Sequence, residues 1–222
     1  KGIGHNEFKD SQFGMIPNSW QVKPLGEIFP KIVVGYVGNV NNYYCSRNEG
    51  VSFYRTLNIR NGYIRHNPIK YVTKEFNDKN KKSQIFNEDI PIARVGANLG
   101  MTCKVSGLNS TANIANAIII KSVKNASSNF YMEFLRSEFG QRQIQSVAAG
   151  GAQGVFNTKL AQSLMVPVPP VEEQIVIGNK LALSDLYLNL SEKKVEQLTS
   201  LKKSLMQDLL TGKVRVKVAK RE

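Results

Sequence analysis

The side chains of this 222-residue chain that could do chemistry are donors rather than nucleophiles: Lys and Arg number 30 against 17 Asp and Glu, a formal charge of +13, while His and Cys number two each. Arg, Asn, Gln and Lys carry forked or paired donors that match purine edges and phosphate oxygens. Where such residues fall in Gly- and Asn-rich stretches suited to exposed loops, they could read base edges. On that ground Arg94, Asn98, Asn113, Gln153 and Asn157 are the candidates for direct reading. Lys31, Tyr43, Tyr44, Arg55, Arg60, Arg65, Lys104 and Lys159 are candidates for phosphate or sugar contacts, which position a duplex without specifying its sequence. For Arg94 the structural alternative is an ion pair with Glu88 or Asp89, for Gln153 a solvated amide, and for Tyr43 and Tyr44 packing on a sheet face. Trp20 is read as a core anchor.

The charge favours a polyanionic partner, because clustered cations displace condensed counterions. Nucleic acid comes first and an anionic membrane second. Residues 1–170 carry 20 of the basic and 10 of the acidic residues, residues 171–222 the other 10 and 7, so the partner surface belongs to the earlier part. A zinc site or disulfide framework would need paired spacing that Cys45, Cys103, His5 and His66 do not offer, and a reducing cytoplasm fits two free thiols. No apolar run reaches the ~18 residues that span a bilayer. No membrane is expected as a partner.

Catalytic motifs are missing. The string closest to a methyltransferase's amide-Pro-Pro-aromatic motif is Asn67-Pro68-Ile69-Lys70-Tyr71, which lacks the second proline and reads as a loop. Gly35-Tyr36-Val37-Gly38 and Gly96–Gly100 do not form a dinucleotide fingerprint, and no phosphate-binding GxxxxGK[ST] occurs. Glu88-Asp89 and Asp78-Lys79 suit exposed turns better than a nuclease metal site. The isolated chain is expected to be non-catalytic, with no cofactor and no metal.

The elements that must hold these residues suggest an α+β chain: a mixed, strand-rich domain over residues 1–168, then a long helix with a basic tail over residues 169–222. Alternation through Val51–Ile64 with Asn61-Gly62 predicts a hairpin. Ile90–Val95, Met101–Val105, Ala117–Ile120 and Leu164–Val168 read as strands, with Pro91 marking an edge or strand start and Ala117–Ile120 apolar enough for burial on both faces. Gly96–Gly100 and Ala112–Asn116 read as loops, and Asn129 caps a helix to about Val147 that Gly140 weakens. After Pro169-Pro170, a helix over about 171–211 carries Ile177, Leu181, Leu188, Val195, Leu198 and Leu205 near a seven-residue register, with Gly212 as its C-cap. A helix of ~40 residues is ~60 Å long and needs a partner helix, either another chain's or its own domain folded against it.

Both ends of the chain carry longer strings. Val166-Pro167-Val168-Pro169-Pro170-Val171-Glu172-Glu173-Gln174, with the helix ending Leu209-Leu210-Thr211-Gly212-Lys213, closely resembles the specificity-subunit family of type I restriction-modification enzymes. Gly14-Met15-Ile16-Pro17-Asn18-Ser19-Trp20 and Leu25-Gly26-Glu27-Ile28 are similar to the opening of that family's target-recognition domain, and Tyr54–Ile64 and Glu88–Gly100 to its inner signatures. The resemblance implies a non-catalytic subunit that reads one half of a bipartite site in double-stranded DNA. It implies methyltransferase subunits and a restriction-translocase subunit as partners, with spacer helices fixing the distance between half-sites. Typical members hold two recognition domains and two helices, so this chain is a half-subunit or a fragment. A half-subunit could restore the arrangement as a homodimer through antiparallel C-terminal helices. A non-specific nucleic-acid binder, which explains only the charge, and a coiled-coil adaptor, which explains only the helix, remain as alternatives.

Overall fold

The computed structural model describes residues 4–149 and 155–216. In chain order these hold β1 (Phe8–Ser11), β2 (Gly14–Pro17), β3 (Gln21–Pro24), α1 (Leu25–Ile28), β4 (Ile32–Val34), β5 (Gly50–Tyr54), β6 (Gly62–Tyr63), β7 (Lys70–Thr73), α2 (Lys74–Lys79), β8 (Gln84–Ile85), β9 (Ile90–Ala93), β10 (Cys103–Lys104), β11 (Ala112–Ile114), β12 (Ala117–Ile120), α3 (Ser128–Arg136), α4 (Glu138–Ala149), α5 (Thr158–Ser163), β13 (Met165–Val168) and α6 (Val171–Leu210). The fold is α+β. It divides into two compact units, one reaching to Ala182 and one from Leu183 on.

Strand β12 is the hub of the first unit. It pairs antiparallel with β4 and β9, and its side chains alternate between two apolar clusters: Ile118 and Ile120 pack with Leu25, Phe29, Tyr131 and Phe156, whereas Ala117 and Ile119 pack with Tyr54, Ile59, Ile85 and Ile114. Burial on both faces is what its unbroken apolar run requires. Pro91 sits in β9 at the edge of this sheet, where a missing N–H is tolerated. The second sheet has the order β7-β5-β11-β8, with β5 and β11 parallel. Near the end of the unit β13 returns to pair antiparallel with β3.

Three expectations change. The turn at Asn61-Gly62 forms, with Gly62 at φ +94 and an antiparallel Ile59–Ile64 bridge, but β5 does not continue into it. Instead β5 pairs with β7 and β11, and a 3-10 turn over Thr56–Asn58 intervenes, held by fully buried Asn58: its Oδ1 accepts from the Arg55 N–H at 3.0 Å and its amide donates to the Arg65 and Pro68 carbonyls. Ala112–Asn116 is not a loop, because Ala112–Ile114 forms the buried strand β11. The single helix read from Asn129 to Val147 is two helices, α3 capped by Ser127 rather than Asn129, and α4 after a break at Ser137. Gly140 is the reason the second helix fits: a Cβ there would lie 2.4 Å from the Phe134 carbonyl oxygen, so only glycine lets α4 lie against the end of α3.

The start of α6 is also set by close approach. A Cβ at Gly178 would sit 2.6 Å from the Phe130 nitrogen, and Gln174, almost fully buried, accepts from the Ser127 N–H at 3.1 Å and donates to the Pro169 carbonyl at 2.8 Å. Glu173 accepts from the Trp20 indole N–H at 2.7 Å, which makes Trp20 a half-buried anchor. Gly212, at φ +71, ends the helix by donating to the Leu209 carbonyl. Among the described residues no helix is long and apolar enough to cross a membrane.

Candidate nucleic-acid interface

Two short turns meet at the end of β5. The turn Thr56–Asn58 is rigid because Asn58 satisfies its buried amide on three backbone groups. The turn Gly96–Asn98 follows β9, and Gly96 at φ +74 and Gly100 at φ +85 let the chain reverse on either side of it. The Asn98 side-chain amide donates to the Thr56 carbonyl at 3.2 Å and ties the turns together. Between β9 and the second turn, the Arg94 N–H donates to the Asn116 carbonyl and the Arg94 carbonyl accepts from Phe156 at 3.2 Å. Asn116, at φ +53, donates its N–H to Tyr36. The result is a groove of ≈ 320 Å³ bordered by Asn39, Asn41, Tyr44, Arg55, Thr56 and Asn116.

The electrostatics of this edge are unbalanced. Arg55, Arg60 and Arg94 are half-buried, and the Nε of each lies out of water with no hydrogen-bond partner among the described residues. The ion pairs considered for Arg94 do not form: Glu88 pairs with Lys104 at 2.9 Å, and Asp89, nearly fully buried, takes the Lys121 ammonium at 2.6 Å together with the Phe86 and Ser122 N–H groups. Burial pulls Lys121 below the ordinary lysine range, against the opposing pull of Asp89. A buried donor left unmade costs roughly 1–3 kcal/mol. Of the three arginines, Arg55 lines the groove, and the Arg94 backbone is joined to Asn116 at its border.

The structure brings Arg55, Arg94 and Asn98 to one edge, with Arg60 on the neighbouring turn and Arg65, whose N–H donates to the Asn58 carbonyl, on its return. Asn157 follows Phe156, which binds the Arg94 carbonyl, and caps α5 by accepting from the Leu160 N–H at 3.0 Å; Lys159 is exposed on that helix. Lys31 is exposed just before β4. Lys104 is committed to Glu88. Tyr43 packs on Phe76 at 4.9 Å, and Tyr44 packs on Phe53 while also lining the groove. Asn113 leaves the set: it is fully buried in β11, accepting from the Ser83 hydroxyl at 2.6 Å and donating to Asn77, so it holds two segments together and cannot reach a ligand. Gln153 lies outside the described residues.

Two features went unread in the sequence. Asn39, Asn41 and Asn116 border the groove, and only the asparagine-rich context of Asn116 hinted at it. On the other face of β5, Ser52 and Tyr54 line a polar cleft of ≈ 690 Å³ with Arg47, His66 and Lys74. There the Tyr54 hydroxyl and the His66 Nδ1 are 2.7 Å apart, and burial raises the Tyr54 phenol to about 12. Nothing in sequence spacing joins residues 54 and 66 in this way.

On α6, Ile177 packs against the core of the first unit, which removes it from a free seam. Leu181, Leu188, Val195, Leu198 and Leu205 are all exposed. A second apolar stripe, Val176, Leu183, Leu186, Tyr187 and Leu190, is exposed as well.

The family model for the type I restriction modification DNA specificity domain matches residues 17–200 of this chain. The putative type I restriction enzyme MjaX specificity subunit of Methanocaldococcus jannaschii is 31% identical over 98% of the chain and 49% of its own length; the MjaVIII specificity subunit of the same organism is 27% identical over 98% and 52%. The chain thus spans about half the length of the curated relatives it matches. A solved chain of a type I R-M system superposes with a TM-score of 0.62 at 18% identity, covering 88% of this chain and 46% of that one, a likeness of fold.

Proposed function

This chain belongs to the family of type I restriction-modification DNA specificity domains, and we propose that it reads one half of a bipartite DNA target without catalysing any reaction itself. The observation that carries this reading is the groove bordered by Arg55, Asn39, Asn41, Tyr44 and Asn116, where side chains able to donate to nucleic-acid oxygens gather at one opening. Phosphate and base-edge oxygens are acceptors suited to such side chains, and an arginine fork is suited to guanine O6 and N7. Arg94 and Asn98 are assigned to base edges, with Asn157 beside them. Arg55, Arg60, Arg65, Lys31 and Lys159 are assigned to the sugar-phosphate backbone. Catalysis belongs, in this reading, to methyltransferase subunits and a restriction-translocase subunit with which the chain assembles in the cytoplasm.

The unit from Leu183 on supports the assembly half of the proposal. Its seam of Leu188, Val195, Leu198 and Leu205 suits a second copy running antiparallel, which would place two identical readers on an inverted, interrupted site. The second stripe of Leu183, Leu186, Tyr187 and Leu190 is left for a methyltransferase subunit, since a helix apolar on two sides needs more than one neighbour.

Selection of bound sequences from a randomised duplex library, followed by titration across a salt series, tests this function. Enrichment of an interrupted inverted motif is the expected result. Equal affinity for all duplexes with a slope of roughly −0.9 per neutralised phosphate would leave a non-specific binder, and no binding at low salt would leave a helical adaptor.

A further inference from the structure

Alternation along β5 turns its residues to two different openings. Phe53 borders the groove described above, while Ser52 and Tyr54 line the polar cleft of ≈ 690 Å³ on the other face, so the two sites share a strand but no lining residue. A volume of this order falls within the ~300–1,000 Å³ of small-ligand sites.

The walls of the cleft are held in place by the fold. The Tyr54 hydroxyl and the His66 Nδ1 are 2.7 Å apart, and Gly107, at φ +73, brings the chain so near the imidazole that a Cβ there would lie 3.3 Å from its Nε2. The loop that continues from Gly107 is pinned by Asn87, whose side chain donates to the Leu108 carbonyl and accepts from the Leu108 N–H, each at 3.0 Å. Ile69 and Leu108, both partly buried against the core, give the cleft an apolar flank.

Its polar groups are unspent. Asn77 lines the cleft and is only 4% exposed; its Oδ1 accepts from the Asn113 amide at 3.2 Å, while its own Nδ2 donates to nothing among the described residues. A buried donor left unmade costs roughly 1–3 kcal/mol, which a ligand oxygen would recover. Arg47 and Lys74 also line the cleft; both are exposed, and neither forms an ion pair among the described residues. Asp78 is the one carboxylate of the lining, so the mouth is net cationic. A guanidinium fork beside an ammonium suits a phosphate group, and a lone carboxylate suits hydroxyl groups that donate to it.

We propose that this cleft is a second ligand site, for a phosphate ester of mononucleotide size. Arg47 and Lys74 hold the phosphate, Asn77 donates to an oxygen of the ester, Asp78 accepts from its hydroxyl groups, and Ile69 and Leu108 cover its apolar ring. The DNA reading proposed above neither requires this site nor fails with it. A phosphate of a DNA backbone offers Arg47 and Lys74 the same chemistry as a free nucleotide, and the test separates the two sources.

His66 is one of only two histidines in the chain, so its ring proton signals report on the cleft by NMR, with His5 as the internal reference. The full chain is titrated at fixed pH and ionic strength with inorganic phosphate, adenosine, adenosine monophosphate and a short random duplex. The expected result is a saturable shift of His66 alone, with adenosine monophosphate binding roughly tenfold or more tighter than either phosphate or adenosine. Arg47→Ala and Lys74→Ala alter exposed side chains, so unchanged urea midpoints are expected, together with a roughly tenfold loss of nucleotide affinity in each. A His66 shift produced by the duplex while adenosine monophosphate is silent overturns the free ligand and assigns the phosphate to DNA. No shift with any probe, or nucleotide binding unchanged in both variants, overturns the site.

Discussion

At the scale of single residues, the proposed DNA-facing groove is bordered by side chains able to donate hydrogen bonds. Arg55 and Arg94 have half-buried guanidinium groups with an unmet Nε, and Asn98 already spends one amide hydrogen on the Thr56 carbonyl. Arg55→Ala is therefore expected to weaken binding to all duplexes alike and to reduce the salt slope by roughly one unit, as for a lost phosphate contact. Arg94→Ala is expected to cost about 1–3 kcal/mol on the preferred sequence and to relax selection at one base position; titration of both variants against matched and random duplexes separates the two roles. Folding should be unaffected in either, because neither guanidinium holds another segment in place. Tyr54 behaves differently. Its folded-state value of about 12 exceeds the ordinary 10.0, so its contribution to stability is complete below pH 10 and is lost as pH rises through about 12. Denaturant melts of Tyr54→Phe against the parent chain across pH 9–12 should show that alkaline loss reduced in the variant.

At the scale of elements, helices are held by missing side chains as much as by present ones. Gly140 lets α4 pass within contact of the Phe134 carbonyl, and Gly178 lets α6 cross the backbone of α3 beside Phe130. Ala at either position would force backbone apart, with an expected loss of several kcal/mol, on the order of a disrupted core site; the shift of the urea midpoint measures it. An exposed i,i+4 ion pair contributes little, so Glu138→Gln, which weakens the pair with Arg142, is expected to stay within about 0.5 kcal/mol. Much at this scale was legible in the sequence. The run Ala117–Ile120 announced a strand buried on both faces, and Pro169-Pro170 followed by Glu172-Glu173-Gln174 announced the start of α6. The Ala112–Asn116 stretch misled, because asparagine's preference for loops was outweighed by tertiary partners: Asn77 and Ser83, about 30 residues away, satisfy Asn113 inside the sheet.

At the scale of the whole molecule, the chain holds one strand-rich unit and one long helix, and the proposed function requires two of each. Helix length then becomes DNA spacing. Inserting one heptad between Ser191 and Glu192 should move paired readers apart by ~10 Å, about three base pairs at ~3.4 Å each, and library selection should return a motif whose gap is longer by that amount while its half-sites are unchanged. The family, the α+β class, the long helix and the basic character were determined by sequence alone, because each rests on local strings, periodicity or composition. Which donors are free was not, because that depends on who has already been paired: Lys104 and Lys121 take the two carboxylates nearest Arg94 in sequence, and Asn113 is consumed by the sheet. Only the tertiary structure could set Arg55 beside Asn39, Asn41 and Asn116 at one groove and gather Phe13, Trp20, Phe139 and Leu181 around another, since hydrogen-bond satisfaction and apolar coverage are sums over neighbours that sequence distance does not reveal.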